Sequence, residues 1–232
     1  MNSLPARVFG VIGRPRATFA AIVRAPSWAP VLLATTAVTF MCSAGFLSTE
    51  IGRQALVDQW ERSASALGSV DDATYAQMED TVERFRLAYA GVTALASGPA
   101  LAFALATLLW LLLNRTTRRH ASYVEVLAIV CYAGIILTLR QVIATPIDYM
   151  RETIASPTTL IRFFPMLDEV SPVARFLGAI DLFVIWWIAV LAIGVSVLYQ
   201  RRARSLALVF TGTYLVLALL LALAMAASGG VA

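Results

Sequence analysis

The sequence predicts an all-α integral membrane bundle, with five transmembrane helices preceded by an N-terminal interfacial amphipathic helix. Three observations carry that prediction. Hydrophobic residues make up 59% of the 232 and charged residues only 14%, against about a quarter charged in soluble domains; the mean hydropathy is +0.77. The charges are excluded from particular stretches rather than thinned evenly, which leaves five apolar runs. Basic and acidic connections alternate between those runs, as an odd number of spans demands under the positive-inside rule.

A bilayer core takes about 20 apolar helical residues, because the backbone there must satisfy its own hydrogen bonds. The expected spans are 30–47, 87–113, 123–143, 176–199 and 205–228. They divide the chain into a cytoplasmic basic segment, 1–29, and a five-helix transmembrane domain, 30–232. The first run is short and mildly polar. In the second, Ala94, Gly98, Ala102 and Ala106 recur every fourth residue, a face on which another helix can approach closely. Pro99 near its middle should bend the helix or free a carbonyl. The third run opens on Ser122-Tyr123-Val124-Glu125, a capping-box pattern, and carries Arg140 near its end. The fourth holds Asp181 near its start, and the fifth has no charge.

All the basic residues are arginine, and they sit in small groups beside apolar runs, so they read as topology determinants rather than a nucleic-acid surface. The first 30 residues carry Arg7, Arg14, Arg16 and Arg24 without an acid. Arg115, Arg118 and Arg119 fill the second connection, and Arg201, Arg202 and Arg204 the fourth. The two long connections, Ser48–Arg86 and Ala144–Arg175, hold most of the acids. This charge order predicts a cytoplasmic N-terminus and a C-terminus on the opposite side; the arginine-only, alanine-rich composition suggests a bacterial genome, which makes the expected membrane the bacterial inner (cytoplasmic) one and the C-terminus periplasmic.

Roughly 30 residues precede the first run, too many for the short n-region of an export signal, so that run is expected to stay as an anchor. Within those residues Pro15 suits the first turn of a helix. Phe19, Ile22 and Val23 then fall on one face, with Arg16 and Arg24 on another. Such a segment is expected to lie in the headgroup layer, with Arg7, Arg14, Arg16, Arg24 and Trp28 as membrane-surface contacts; the bland alternative is a solvated tail. In the first long connection Tyr75, Met78, Val82, Phe85 and Tyr89 form an apolar stripe. It reads as an amphipathic helix covering one mouth of the bundle rather than a coiled coil.

Ionisable groups inside or at the ends of spans are functional candidates by default. Arg140 and Asp181 fall on the same side of the bilayer under the expected topology, where they can form an inter-helix ion pair if their spans touch; otherwise Arg140 snorkels and Asp181 stays among the headgroups. Catalysis has little support. His120 is the only histidine, Cys42 and Cys131 lie apart in apolar stretches, and no nucleophile, metal or phosphate-loop motif occurs. No catalytic residue, metal site or cofactor is expected.

The quoted stretches "RVFGVIGRPRATFAAIVRAPSWAPVLL", "LLWLLLNRTTRRHASYVEVLAIVCYAG" and "LGAIDLFVIWWIAVLAIGVSVL" resemble bacterial members of the Yip1 family. Pro15, Phe19, Trp28, Tyr132, Asp181, Phe183 and Trp186 occupy the features that carry the resemblance, which covers nearly the whole chain. Two departures are Gly134, where bacterial relatives often have proline, and the long acidic first outer loop. The resemblance implies a five-span membrane protein with a cytoplasmic N-terminus. Eukaryotic relatives engage Rab-type GTPases and one another, a role that does not carry over to a bacterium.

The function expected is therefore that of a non-enzymatic multi-pass membrane protein that binds protein partners or organises the membrane. Its partners would be the lipid bilayer, an unknown membrane or cytoplasmic protein and copies of itself, and not nucleic acid. The alternative is a small transporter or channel subunit using Arg140 and Asp181, which a polar track at mid-bilayer would favour.

Overall fold

The structure is a computed structural model and describes residues 3–65, 70–117, 120–154, 156–164, 166–167 and 171–228. Among these residues it is helical with no strand, and five helical stretches are long and apolar enough to cross a membrane: Ala29–Leu47, Asp72–Thr116, Tyr123–Met150, Leu182–Tyr199 and Ala203–Ala224. Arg118 and Arg119 of the expected basic turn lie outside the described residues.

The chain groups into two compact units. One comprises Met1–Val38, Leu95–Leu139 and Leu182–Val216, the other Thr39–Ala94, Arg140–Asp181 and Leu217–Ala232.

In the first unit the chain starts with two short helices, α1 (Leu4–Gly13) and α2 (Pro15–Arg24). The Arg14 N–H closes α1 on the Gly10 carbonyl, and Pro15 starts α2, where its missing N–H costs no hydrogen bond. Helix α3 (Ala29–Leu47) begins here. The unit continues with α6 (Leu101–Thr116), α7 (Tyr123–Ala133), α10 (Leu182–Tyr199) and the start of α11 (Ala203–Ser228).

Helix α7 is the centre of this unit. Every residue from Val126 to Ala133 is buried, so it is apolar on all sides for the physical reason that all sides meet protein. Ser122 Oγ accepts from the Glu125 N–H while the Glu125 carboxylate accepts from the Ser122 N–H, the reciprocal cap that the SYVE pattern predicts. Helices α2, α6 and α10 pack against α7. Gly194 of α10 permits the closest approach: a Cβ there would lie 2.6 Å from Ile129 Cγ2 and 3.1 Å from Phe19 Cε1. By contrast α6 and α11 leave Leu108, Leu112, Leu208 and Val209 more than half exposed, as lipid-facing surfaces must.

Pro99 acts on its helix as its chemistry requires. It lacks the N–H that would bond the carbonyl four residues back, and Ala96–Ala100 forms a π turn in which the Leu101 N–H reaches the Ala96 carbonyl. The small-residue face continues through it. Ala102 and Ala106 are buried, and a Cβ at Gly98 would come within 2.9 Å of Thr36 Oγ1.

The second unit contains α4 (Glu50–Ser65), most of α5 (Asp72–Leu95), the main part of α8 (Ile135–Met150), a 3₁₀ turn at Leu160–Phe163 and α9 (Pro172–Gly178). The α5 stripe packs as an amphipathic face: Val82 is buried, while Tyr75, Met78 and Tyr89 are partly buried around it. Leu56 and Val57 of α4 supply the opposite face, and Trp60 meets Tyr89 edge-on at 5.8 Å. Phe85 departs from the stripe and is 59% exposed. Arg53 of α4 pairs with Glu83 of α5 at 3.1 Å.

The third and fourth spans differ in length from the sequence expectation. Helix α8 runs past Ile143, through Pro146, to Met150, and Glu152 takes a left-handed φ of 53° to end it, with the Thr153 N–H on the Asp148 carbonyl. The fourth span starts at Leu182 rather than residue 176 because α9 is a separate helix. Ser171 Oγ caps α9 by accepting from the Ala174 N–H, and Asp181 then forms an isolated antiparallel bridge with Thr159.

Candidate functional site: a buried arginine–aspartate clasp

The bridge that follows α9 assembles a polar cluster in the second unit. The Leu160 N–H donates to the Ile180 carbonyl at 2.8 Å, which holds the 156–160 segment alongside Asp181. That placement aims the Ser156 and Thr158 hydroxyls at the Asp181 carboxylate. Oδ2 accepts from Thr158 Oγ1 at 2.6 Å and from Ser156 Oγ at 2.9 Å. Arg140, on α8, completes the set. Its Nε donates to Asp181 Oδ2 at 2.7 Å, and its Nη2 donates to Ser156 Oγ at 2.7 Å.

The burial is asymmetric. The Asp181 side chain is 7% exposed and that of Arg140 is 30% exposed. A carboxylate removed from water this far needs donors for its lone pairs, and the arginine and two hydroxyls provide them. Ser156 links the two ions, accepting from the guanidinium while donating to the carboxylate. The arrangement can fasten α8, the 156–160 segment and the 180–181 turn to one another.

A second polar feature lies in the same unit. A cavity of about 210 Å³ is lined by Ser43, Gln59, Tyr89, Thr93, Gln141, Thr145 and Asp148 among others. Asp148 Oδ1 is buried and has no hydrogen-bond partner among the described residues.

The five residues expected at the membrane surface divide. Arg14, Arg16 and Arg24 are exposed. Trp28 is partly buried and meets Phe103 edge-on at 5.6 Å. Arg7 corrects the expectation: it is 8% exposed, and its Nη1 donates to the Ala25 carbonyl at 3.2 Å and to Ser27 Oγ at 3.1 Å. It ties α1 to the turn after α2 instead of meeting headgroups, because the turn offers acceptors that its neighbours on α1 cannot. The apolar face of α2 is likewise covered by protein. Phe19 and Ile22 are fully buried in the core that α7 and α10 form.

Sequence reasoning passed over Ser156 and Thr158, whose signal was a run of hydroxyls, Ser156-Pro157-Thr158-Thr159, between two charged span ends. It also passed over Asn114. In the first unit Asn114 Oδ1 accepts from the Ala121 N–H at 3.1 Å and from the Tyr199 hydroxyl at 2.9 Å, and its Nδ2 donates to the Ala121 carbonyl at 3.0 Å. One amide thus joins α6, the turn before α7 and the end of α10.

Helices of this length, apolarity and packing define a multi-pass, all-α membrane protein. The Yip1 domain family matches residues 9–226, and the chain belongs to that family. No curated protein and no solved structure matches the chain at a significant level.

Proposed function

We propose that this protein is a non-enzymatic organiser of the bacterial inner (cytoplasmic) membrane, with its N-terminus cytoplasmic and its C-terminus periplasmic, that holds protein partners, including copies of itself, at the bilayer. One observation carries this reading. The α1–α2 pair is fixed by Phe19 and Ile22, both fully buried, while Arg14, Arg16 and Arg24 stay exposed and Phe9 is 74% exposed. A tail that only needed to rest on lipid would not require such an anchorage; a platform that presents side chains in a set geometry does, because preorganisation lowers the entropic cost of binding.

The test is photocrosslinking in membranes followed by affinity capture and mass spectrometry, comparing the intact chain with an R14Q/R24Q variant. Removing residues 1–24 outright would strip Phe19 and Ile22 from the core and confuse binding with unfolding. The expected result is a reproducible protein crosslink that the variant loses at unchanged abundance. Lipid crosslinks alone with both chains would sink the reading.

Arg140 and Asp181, the residues of the transporter alternative, are engaged with each other and with Ser156 and Thr158. What favours it instead is the unpartnered Asp148 Oδ1 at the polar cavity. Solute flux through proteoliposomes that D148N abolishes, with protein abundance retained, would establish it in place of the organiser.

A further inference from the structure

The turn between α10 and α11 in the first unit carries an unassigned site. A recess of about 740 Å³ opens there, lined by Arg16 of α2, by Arg201, Arg202 and Arg204, and by Ala20, Ser196, Val197, Gln200 and Ala203. Four arginines line the recess, and no carboxylate lines it among the described residues. None of the four has a side-chain hydrogen bond or ion pair among the described residues. The contrast with Arg140 and Arg7 is direct: those two are held by acceptors from the protein, whereas these four face a space.

The turn that presents them is fixed. Gln200 has φ 54°, a left-handed conformation unusual for a side-chain-bearing residue, and the Arg201 N–H reaches back to the Ser196 carbonyl at 3.2 Å. Together these make a Schellman closure of α10, so Arg201 and Arg202 leave the helix at a set angle. Helix α11 begins at Ala203 and runs 26 residues. Its first amides have no partner inside the helix and add the positive end of the helix dipole to the recess.

We propose that this recess binds the phosphate-bearing headgroup of an anionic lipid. Guanidinium forks match phosphate oxygens two at a time, and basic pockets between transmembrane helices are suited to such headgroups. The choice of lipid over free phosphate rests on two observations. The turn joins two membrane-spanning helices, Leu182–Tyr199 and Ala203–Ala224, with only three residues between them, so the recess sits at the bilayer surface. The walls beneath the arginines are Ala20, Val197 and Ala203, and Leu208, one turn after Arg204 on the same face of α11, is 67% exposed. A headgroup on Arg204 would lay its acyl chain along that apolar track. Free phosphate has no use for one.

The site stands apart from the partner-binding proposal. It shares only Arg16 with that surface, whose test replaces Arg14 and Arg24, and it has a lipid readout, so either can fail alone. The experiment takes the full chain in nanodiscs of phosphatidylcholine with a graded fraction of phosphatidylglycerol, and measures retained lipid by native mass spectrometry. Expected is retention of phosphatidylglycerol over phosphatidylcholine, weakened about fivefold by R16Q or R202Q and on the order of a hundredfold by R16Q/R201Q/R202Q/R204Q. R16K/R202K should keep a part of the preference, because charge survives while the fork is lost. An R84Q control, in the other unit, should leave it intact. Equal retention of both lipids, or a preference unchanged in the quadruple variant, would overturn the proposal. So would displacement of phosphatidylglycerol by millimolar inorganic phosphate in detergent, which would assign the recess to a soluble anion.

Discussion

The Arg140–Asp181 clasp makes a prediction in which the two partners should not be equivalent. Replacing Arg140 with methionine leaves a carboxylate that is 7% exposed and has lost its one charged partner in the clasp, while Ser156 and Thr158 still donate to it. Charged hydrogen bonds contribute about 1.5–3 kcal/mol, and breaking a fully buried pair costs about 3–5 kcal/mol. Arg140 itself is 30% exposed, which discounts the upper figure, so R140M should cost about 2–3 kcal/mol. D181N keeps an oxygen that still accepts from both hydroxyls, and the guanidinium it frees can reach water. Its cost should be about 1–2 kcal/mol. In the R140M/D181N double variant no buried charge is left uncompensated, so the two losses should overlap, with a coupling of about 1–2 kcal/mol.

The assay is unfolding in mixed detergent micelles, followed by tryptophan fluorescence over increasing SDS, for the wild type and the three variants. Sodium chloride at 0.5 M should change the coupling little, since the carboxylate is out of reach of screening ions. Losses that add to within about 0.5 kcal/mol would mean that the two groups do not act as a pair. A larger cost for D181N than for R140M would refute the argument from asymmetric burial.

Three further outcomes follow from single residues. G194A should destabilise by about 1–3 kcal/mol, because the added methyl meets Ile129 Cγ2, a β-branched group with little freedom to move; I129A should relieve it in the double variant, and an unchanged unfolding midpoint in G194A would contradict the packing. N114L should cost about 1–3 kcal/mol through the two donors it strands, the Ala121 N–H and the buried Tyr199 hydroxyl, while the Y199F change should cost less, removing one hydroxyl; equal losses would argue against Asn114 as the centre of the network. Asp71 accepts from the Thr74 N–H at 2.9 Å at the start of α5, and its bonds to Thr74 hold its carboxyl below the usual aspartate range. A depressed folded value means that the cap's contribution is complete above the unfolded value and lost as the pH falls through the folded one. Amide protection at the first turn of α5 should therefore drop in acid in the wild type and stay flat in D71N, since asparagine caps without titrating; the same acid response in both would exclude Asp71 as its source.

Much of this architecture was legible in the residues because a bilayer leaves few choices. Twenty apolar residues without a charge can only be a helix there, and proline, serine and glutamate at the ends act locally, as Ser122 and Glu125 do at α7. What depends on distant residues was less legible. The Arg7 position is written as a basic residue near a membrane, and nothing in its neighbours says that Ala25 and Ser27 will fold back to accept from it. Ser156 and Thr158 acquire their role only once Leu160 bonds to Ile180 and draws them to Asp181. Gly194 reads as one small residue among many until Phe19 and Ile129 arrive around it. In each case the local sequence specified the element, and the partner came from a part of the chain that no local period connects to it.

The arginines give the general form of the argument. All 18 basic residues are arginine, and by sequence they look alike: short clusters next to apolar runs. By their acceptors they separate. Arg140 gives Nε and Nη2 to carboxylate and hydroxyl groups of the chain, and Arg7, 8% exposed, gives Nη1 to a carbonyl and a hydroxyl, so both are held by the protein itself. Arg53, Arg84 and Arg86 pair with acids of their own helices or a neighbouring one, contacts that contribute little at an exposed surface. Arg16, Arg201, Arg202 and Arg204 line one recess with no side-chain hydrogen bond or ion pair among the described residues. Gathering four like charges with no counterion among the described residues raises the energy of the folded state, and the turn beside three of them also holds Gln200 in a left-handed conformation. Both costs are offset when an anion occupies the recess, which is why the binding capacity of this protein is to be sought at its unpaired arginines and not at its most deeply buried charge.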